Sequence, residues 1–138
     1  MKSRFLIAFA AVVALASVSA YAQTSMRVSV PFEFTVGRTV LPAGEYIVQG
    51  NTSLGGASLQ TAHAGPGAYA LAVPAVRNNA QDQPTLVFNH YGSSYFLVSA
   101  WWGASTQGLE FPRTKTEIEA AKTAGVRRPE HLTLLASR

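Results

Sequence analysis

The sequence predicts a mainly β fold: a small antiparallel β-sandwich or barrel carrying one C-terminal helix. Three observations lead there. Val28, Val30, Phe32, Phe34 and Val36 occupy every second position with Arg27, Ser29, Glu33 and Thr35 between them, the period of a half-buried strand. Short apolar runs then recur, separated by segments rich in Gly, Asn, Ser and Pro, which is the spacing of a sandwich or barrel. Only one stretch, TEIEAAKTA, combines good helix formers with start and stop signals.

In chain order, residues 1–22 read as a signal peptide. Lys2 and Arg4 precede an uncharged apolar run from Phe5 to Val18, and Ala20-Tyr21-Ala22 supplies small residues for cleavage after Ala22. The run is shorter than the roughly 20 residues of a spanning helix, so no stable membrane span is expected after cleavage. Residues 23–138 then form a single β-rich domain, periplasmic or extracellular. The chain has no cysteine, so packing of apolar side chains has to supply the stability that disulfides give many exported domains. Net charge falls from +4 to +2 once Lys2 and Arg4 are gone, and nucleic acid is not an expected partner.

The alternation over 28–36 is expected to be one strand, with Pro31 at an edge or bulge because it has no N–H to donate. Gly37-Arg38 turns the chain and Thr39-Val40-Leu41 returns it. Pro42-Ala43-Gly44 reads as a type I turn closed by a left-handed Gly44, giving a bulged hairpin with Tyr46 and Val48 back on the inner face. Further strands are expected at Ala57–Ala62, Ala68–Val73, Thr85–Tyr91, Tyr95–Trp102 and Leu132–Ala136, with YGSS from Tyr91 joining two of them as a hairpin. Thr114 and Glu117 have capping-box spacing, and Gly125 suits a helix stop. The apolar face of that helix is thin, Ile118 and Ala121, so it is expected to lie across a sheet or cover an edge strand.

Residues able to carry chemistry are few. His63, His90 and His131 match no metal-ligand spacing. No G-x-S-x-G elbow accompanies the serines of GNTSLGG. Neighbouring strands can bring Glu33 and Glu45 face to face, as a glycosidase needs, though both fall on the outward phase, where a solvated charge costs little. Asn78, Asn79 and Asp82 share a loop but lack the charge and glycine of a calcium loop. No catalytic residue, metal ligand or cofactor is therefore assigned.

The aromatic residues are the better lead. Alternation sends Tyr95, Leu97 and Trp101 to one face of a strand and Phe96, Val98 and Trp102 to the other. Either the strand is central and covered on both sides, or one face is open as an aromatic platform. In the second case Tyr91, Tyr95, Trp101 and Trp102 form a surface for a glycan or an envelope protein. Arg113, Lys115, Lys122, Arg127, Arg128 and Arg138 outnumber Glu117, Glu119 and Glu130 over residues 113–138, a cationic excess that matches anionic envelope polymers or lipid headgroups.

VPFEFTVG (30–37), LPAGEY (41–46), LVFNHYGSSYFL (86–97) and the segment from Pro112 to Lys122 together resemble a group of small exported bacterial proteins of unknown function. The likeness spans most of residues 23–138 and implies export and this order of strands and helix, without an activity. The function expected from the sequence is an exported, non-enzymatic β-rich module, binding or structural in the cell envelope. The alternative is a small hydrolase acting on envelope or extracellular polymer through Glu33 and Glu45 or a histidine–serine pair.

Overall fold

The computed structural model describes residues 25–51, 55–103, 105–125 and 128–137. The expected signal segment and part of the GNTSLGG turn lie outside the described residues. The described residues are mainly β with one helix near the C-terminus, and their two sheets enclose a shared apolar interior. Among the described residues no helix is long and apolar enough to cross a membrane.

β1 (Ser25–Val30) buries Met26, Val28 and Val30 and turns Arg27 and Ser29 outward. The expected nine-residue strand does not continue. The chain leaves the sheet over Pro31-Phe32-Glu33, and β2 (Phe34–Val36) resumes in the opposite sheet. Pro31 cannot donate to a ladder, and the pairing with β4 (Gly44–Asn51) ends one residue earlier, at Val30 opposite Gly44. The inward phase survives the switch because both sheets face one interior: Phe34 and Val36 are as buried as Val28 and Val30.

β2 and β3 (Thr39–Leu41) form a two-residue hairpin through Gly37-Arg38, with Gly37 at φ 59°. The bulged hairpin expected at Pro42-Ala43-Gly44 is absent. β3 pairs only with β2, β4 pairs with β1 and β5 (Gly56–Thr61), and Gly44 has no positive φ. Pro42-Ala43 is instead a corner that returns the chain to the first sheet, where the Tyr46 hydroxyl donates to the Pro42 carbonyl. Local turn chemistry is the same for a hairpin and for such a corner, so the choice rests with the sheet that receives the next strand.

The first sheet has the order β1-β4-β5-β6 (β6, Gly67–Leu71), all antiparallel. β7 (Val73–Val76) follows β6 after Ala72 and joins the second sheet, so one bent strand serves both. That sheet runs β11-β8-β9-β10-β7, from β8 (Thr85–Tyr91), β9 (Ser94–Trp101), β10 (Gln107–Glu110) and β11 (Glu130–Leu135). β2 adds to it beside β9, parallel, with Thr35 opposite Phe96. At the other margin Arg27 and Ser137 exchange backbone hydrogen bonds of 2.7 and 2.8 Å. The sandwich is therefore joined along both sides, as a flattened barrel. β10 was not expected: of QGLE only Gly108 and Leu109 are buried, too little for an alternation to show.

The helix α1 (Lys115–Ala124) starts and stops where the sequence indicates. Thr114 Oγ1 accepts from the Glu117 N–H at 3.3 Å, and Gly125 ends it at φ 66°. It packs on β8 from outside the barrel. The expected apolar face is not what holds it there. Ile118 is exposed and Ala121 only half-buried, and the buried side chain of α1 is Glu117.

Candidate functional site

β9 decides where the aromatic residues go. Its register against β8 shifts between Phe88, which faces Leu97, and Val87, which faces Ser99, so Val98 is an extra residue. A bulge reverses the phase of everything beyond it. Tyr95, Leu97, Ala100 and Trp102 consequently pack with the interior, whereas Trp101 joins Ser99 on the outer face through a 3.0 Å indole hydrogen bond. The expected assignment of Trp101 beside Leu97 and of Trp102 beside Phe96 is thus inverted.

Tyr91, Tyr95, Trp101 and Trp102 do not share one platform. Trp102 is 8% exposed and lies against Gly50, where an added Cβ would come within 2.6 Å of its ring. Tyr91 is 2% exposed and lies edge-on to Phe96 at 5.9 Å. Tyr95 is the middle of three rings: Phe32 stacks at 3.8 Å and 15°, and His90 at 4.2 Å and 7°. Two nearly parallel neighbours that close must occupy opposite faces, which leaves Tyr95 only its edge. Trp101 lies over Gly108 of β10, which has no Cβ to displace it, and the Arg77 guanidinium sits 4.9 Å from its ring centroid. Trp101 and Tyr95 are half-buried, and the other two of the four are buried.

The densest polar cluster lies where α1 crosses β8. Asn89 and Tyr91 are two residues apart on β8 and so share its outer face. Glu117 Oε1 accepts from Asn89 Nδ2 at 2.8 Å and from the Tyr91 hydroxyl at 3.1 Å. Arg113 adds its Nε at 3.8 Å from the same oxygen and donates from Nη2 to the Tyr91 hydroxyl at 3.2 Å. Capping-box logic has the Glu117 side chain reach back to the start of its own helix; here it turns inward and fastens α1 to the sheet. The signal for this in the sequence is Asn89 and Tyr91, polar groups on the second face of a strand whose first face is Leu86 and Phe88.

Burial first, then the Glu117 carboxylate, raises the Tyr91 phenol above its ordinary value; burial alone raises Tyr46. The fold therefore favours neutral Tyr91, while the unfolded chain releases that proton near pH 10. This contribution to stability is complete below about pH 10 and lost as pH rises through the folded value. Urea-unfolding midpoints should fall between about pH 9 and 11, with a shallower fall for Tyr91→Phe than for the parent chain. Equal slopes would remove Tyr91 as a source of the alkaline loss.

Two depressions flank α1. A groove of about 380 Å3 has Phe32, Glu33, Thr35, Ser93, Ser94 and Thr116 on its walls. A cleft of about 520 Å3 lies between the Gly37-Arg38 turn, β6 and the segment leading into α1. Glu45 lies on β4 in the first sheet, 3.3 Å from Arg27, whereas Glu33 is in the crossover to the second. His90 Nδ1 lies 3.6 Å from Glu130, and the carbonyl of His63 accepts from Thr61. Among the described residues no group of three or more His, Asp or Glu side chains is placed to hold a metal ion.

Comparison with protein families, curated proteins and solved structures finds no match to this chain.

Proposed function

We propose that this chain is an exported, non-enzymatic β-rich module, released from its leader after Ala22, that binds a glycan or envelope protein or serves structurally in the cell envelope. One observation carries the non-enzymatic part: the buried carboxylate is engaged in holding α1 on the sheet, and the two glutamates expected to pair, Glu33 and Glu45, lie on separate segments with Glu45 turned to Arg27. Glu117 is 5% exposed and accepts from Asn89 and Tyr91, and Glu45 is paired with Arg27. A general acid or base must instead reach the proton that it transfers. The surface left open beside α1 is a pair of depressions bearing hydroxyl, aromatic and arginine side chains, a mixture suited to recognition. The basic start and apolar run of residues 1–22 support export.

The test expresses the full chain in a bacterial host, fractionates the cells and measures the mass of the product. The expected product begins at Gln23, lies outside the cytoplasm and retains at least one envelope glycan or protein on an array. An uncleaved cytoplasmic chain overturns the export reading. Turnover of an envelope polymer that disappears in Glu33→Gln overturns the non-enzymatic one.

A further inference from the structure

The cleft beside the start of α1 has a composition that neither the fold nor the clasp on Glu117 requires. Along β6 and its continuation the usual sizes are reversed. Ala70 and Ala72 point inward and are buried, while Tyr69 and Leu71 are 54% and 73% exposed. Gly37 makes the cleft narrow: with no side chain there, the β2–β3 turn closes on β6 until a Cβ would meet that of Ala70 at 3.4 Å. This brings Arg38 to the rim beside Tyr69 and Leu71. Arg113 stands among the same walls, with Pro112 and Thr114 next to it.

The two arginines differ in a useful way. Arg113 is held on one side by Tyr91 and Glu117, yet its side chain is 57% exposed, so its direction is set while part of the guanidinium faces solvent. Among the described residues no ion pair engages Arg38. Val73, 50% exposed, continues the apolar strip beyond Leu71, with Glu110 opposite it on the neighbouring strand. Two forked cations over a short apolar wall match an acidic headgroup with a hydrocarbon attached.

We propose that this cleft binds an anionic amphiphile: a phosphate or carboxylate at Arg38 and Arg113, with its apolar body against Tyr69 and Leu71. This goes beyond the glycan or envelope-protein reading above and shares with it only the surface beside α1. The same chemistry is available from a membrane phospholipid or from a free acyl or alkyl phosphate, and the two sources are separable.

The chain without residues 1–22, which carries every described element, is titrated calorimetrically with octyl phosphate, inorganic phosphate and neutral octyl glucoside. It is also sedimented with phosphatidylglycerol and phosphatidylcholine vesicles. Octyl phosphate is expected to bind saturably and at least about tenfold tighter than inorganic phosphate, because burying several methylene groups adds to the ionic contact. Arg38→Ala should weaken octyl phosphate about fivefold, the effect of one arginine near an anionic surface. Leu71→Ser should weaken it by at least about threefold. Both side chains are exposed, so circular dichroism identical to the parent chain separates these losses from misfolding. Sedimentation with phosphatidylglycerol alone, reduced in Arg38→Ala, supports the lipid source; octyl phosphate binding without vesicle binding supports the free amphiphile. Absence of saturable octyl phosphate binding, equal binding of octyl glucoside, or an Arg38→Ala chain that binds as well as the parent overturns the proposal. Failure of export in the cell-fractionation test leaves these titrations untouched, and a null titration leaves export untouched.

Discussion

Phe34→Ala is expected to lose about 3–5 kcal/mol, the range for deleting a buried phenylalanine and a large share of a small domain's total stability. Phe34 belongs to a strand of three residues that carries the chain into the second sheet. Its ring meets Tyr46 of the first sheet edge-on at 5.3 Å and Phe88 of the second at 5.5 Å. Removing it leaves a void between the two sheets, and the short β2–β3 hairpin has little else with which to fill that void. The measurement is the urea-unfolding midpoint by circular dichroism. Val40→Ala, in the same hairpin but 57% exposed, should stay within about 0.5 kcal/mol of the parent chain. Similar midpoints for the two variants would mean that Phe34 does not bridge the sheets.

Glu117→Ala is the second large effect, about 2–3 kcal/mol. The lost carboxylate leaves Asn89 Nδ2 and the buried Tyr91 hydroxyl without their acceptor and frees Arg113. α1 offers little apolar area to compensate, since Ile118 is exposed. Glu117→Gln keeps an acceptor oxygen without the charge and should recover part of the loss. Hydrogen exchange adds a local readout, with α1 amides opening well before those of β8 in the alanine variant. If α1 amides stay as protected as in the parent, the helix is held by something other than this cluster.

Much of the fold was legible in the sequence. Thr85–Tyr91 is a strand with the expected bounds, and the expected strands at Ala57–Ala62 and Tyr95–Trp102 lie within one residue of those observed. Thr114 and Gly125 mark the helix, because a hydroxyl that accepts an orphan N–H and a residue free to adopt positive φ act within a few residues of themselves. The candidate site was less legible. Regular alternation through Val98 predicts the opposite faces for the two tryptophans, and one extra residue in β9 puts Trp102 inside and Trp101 out. A bulge is a relation between two strands, so a single strand's sequence carries no mark of it. The cleft leaves no mark in the sequence for the same reason: Arg38, Tyr69, Leu71 and Arg113 lie on three separate segments.

By itself, the order of residues determined the β character, the helix and its limits, and the inward side of β1, β2 and β4, since each depends on neighbours two to four positions apart. Tertiary structure alone decided that the chain changes sheets at Pro31 and at Ala72, that Pro42-Ala43 is a corner, and that Glu117 reaches inward rather than to its own helix. Those outcomes depend on groups that meet only when two sheets close on one interior. There the burial of apolar side chains decides where each segment goes, and Asn89 Nδ2 and the Tyr91 hydroxyl meet an acceptor, Glu117, only once α1 is laid across β8.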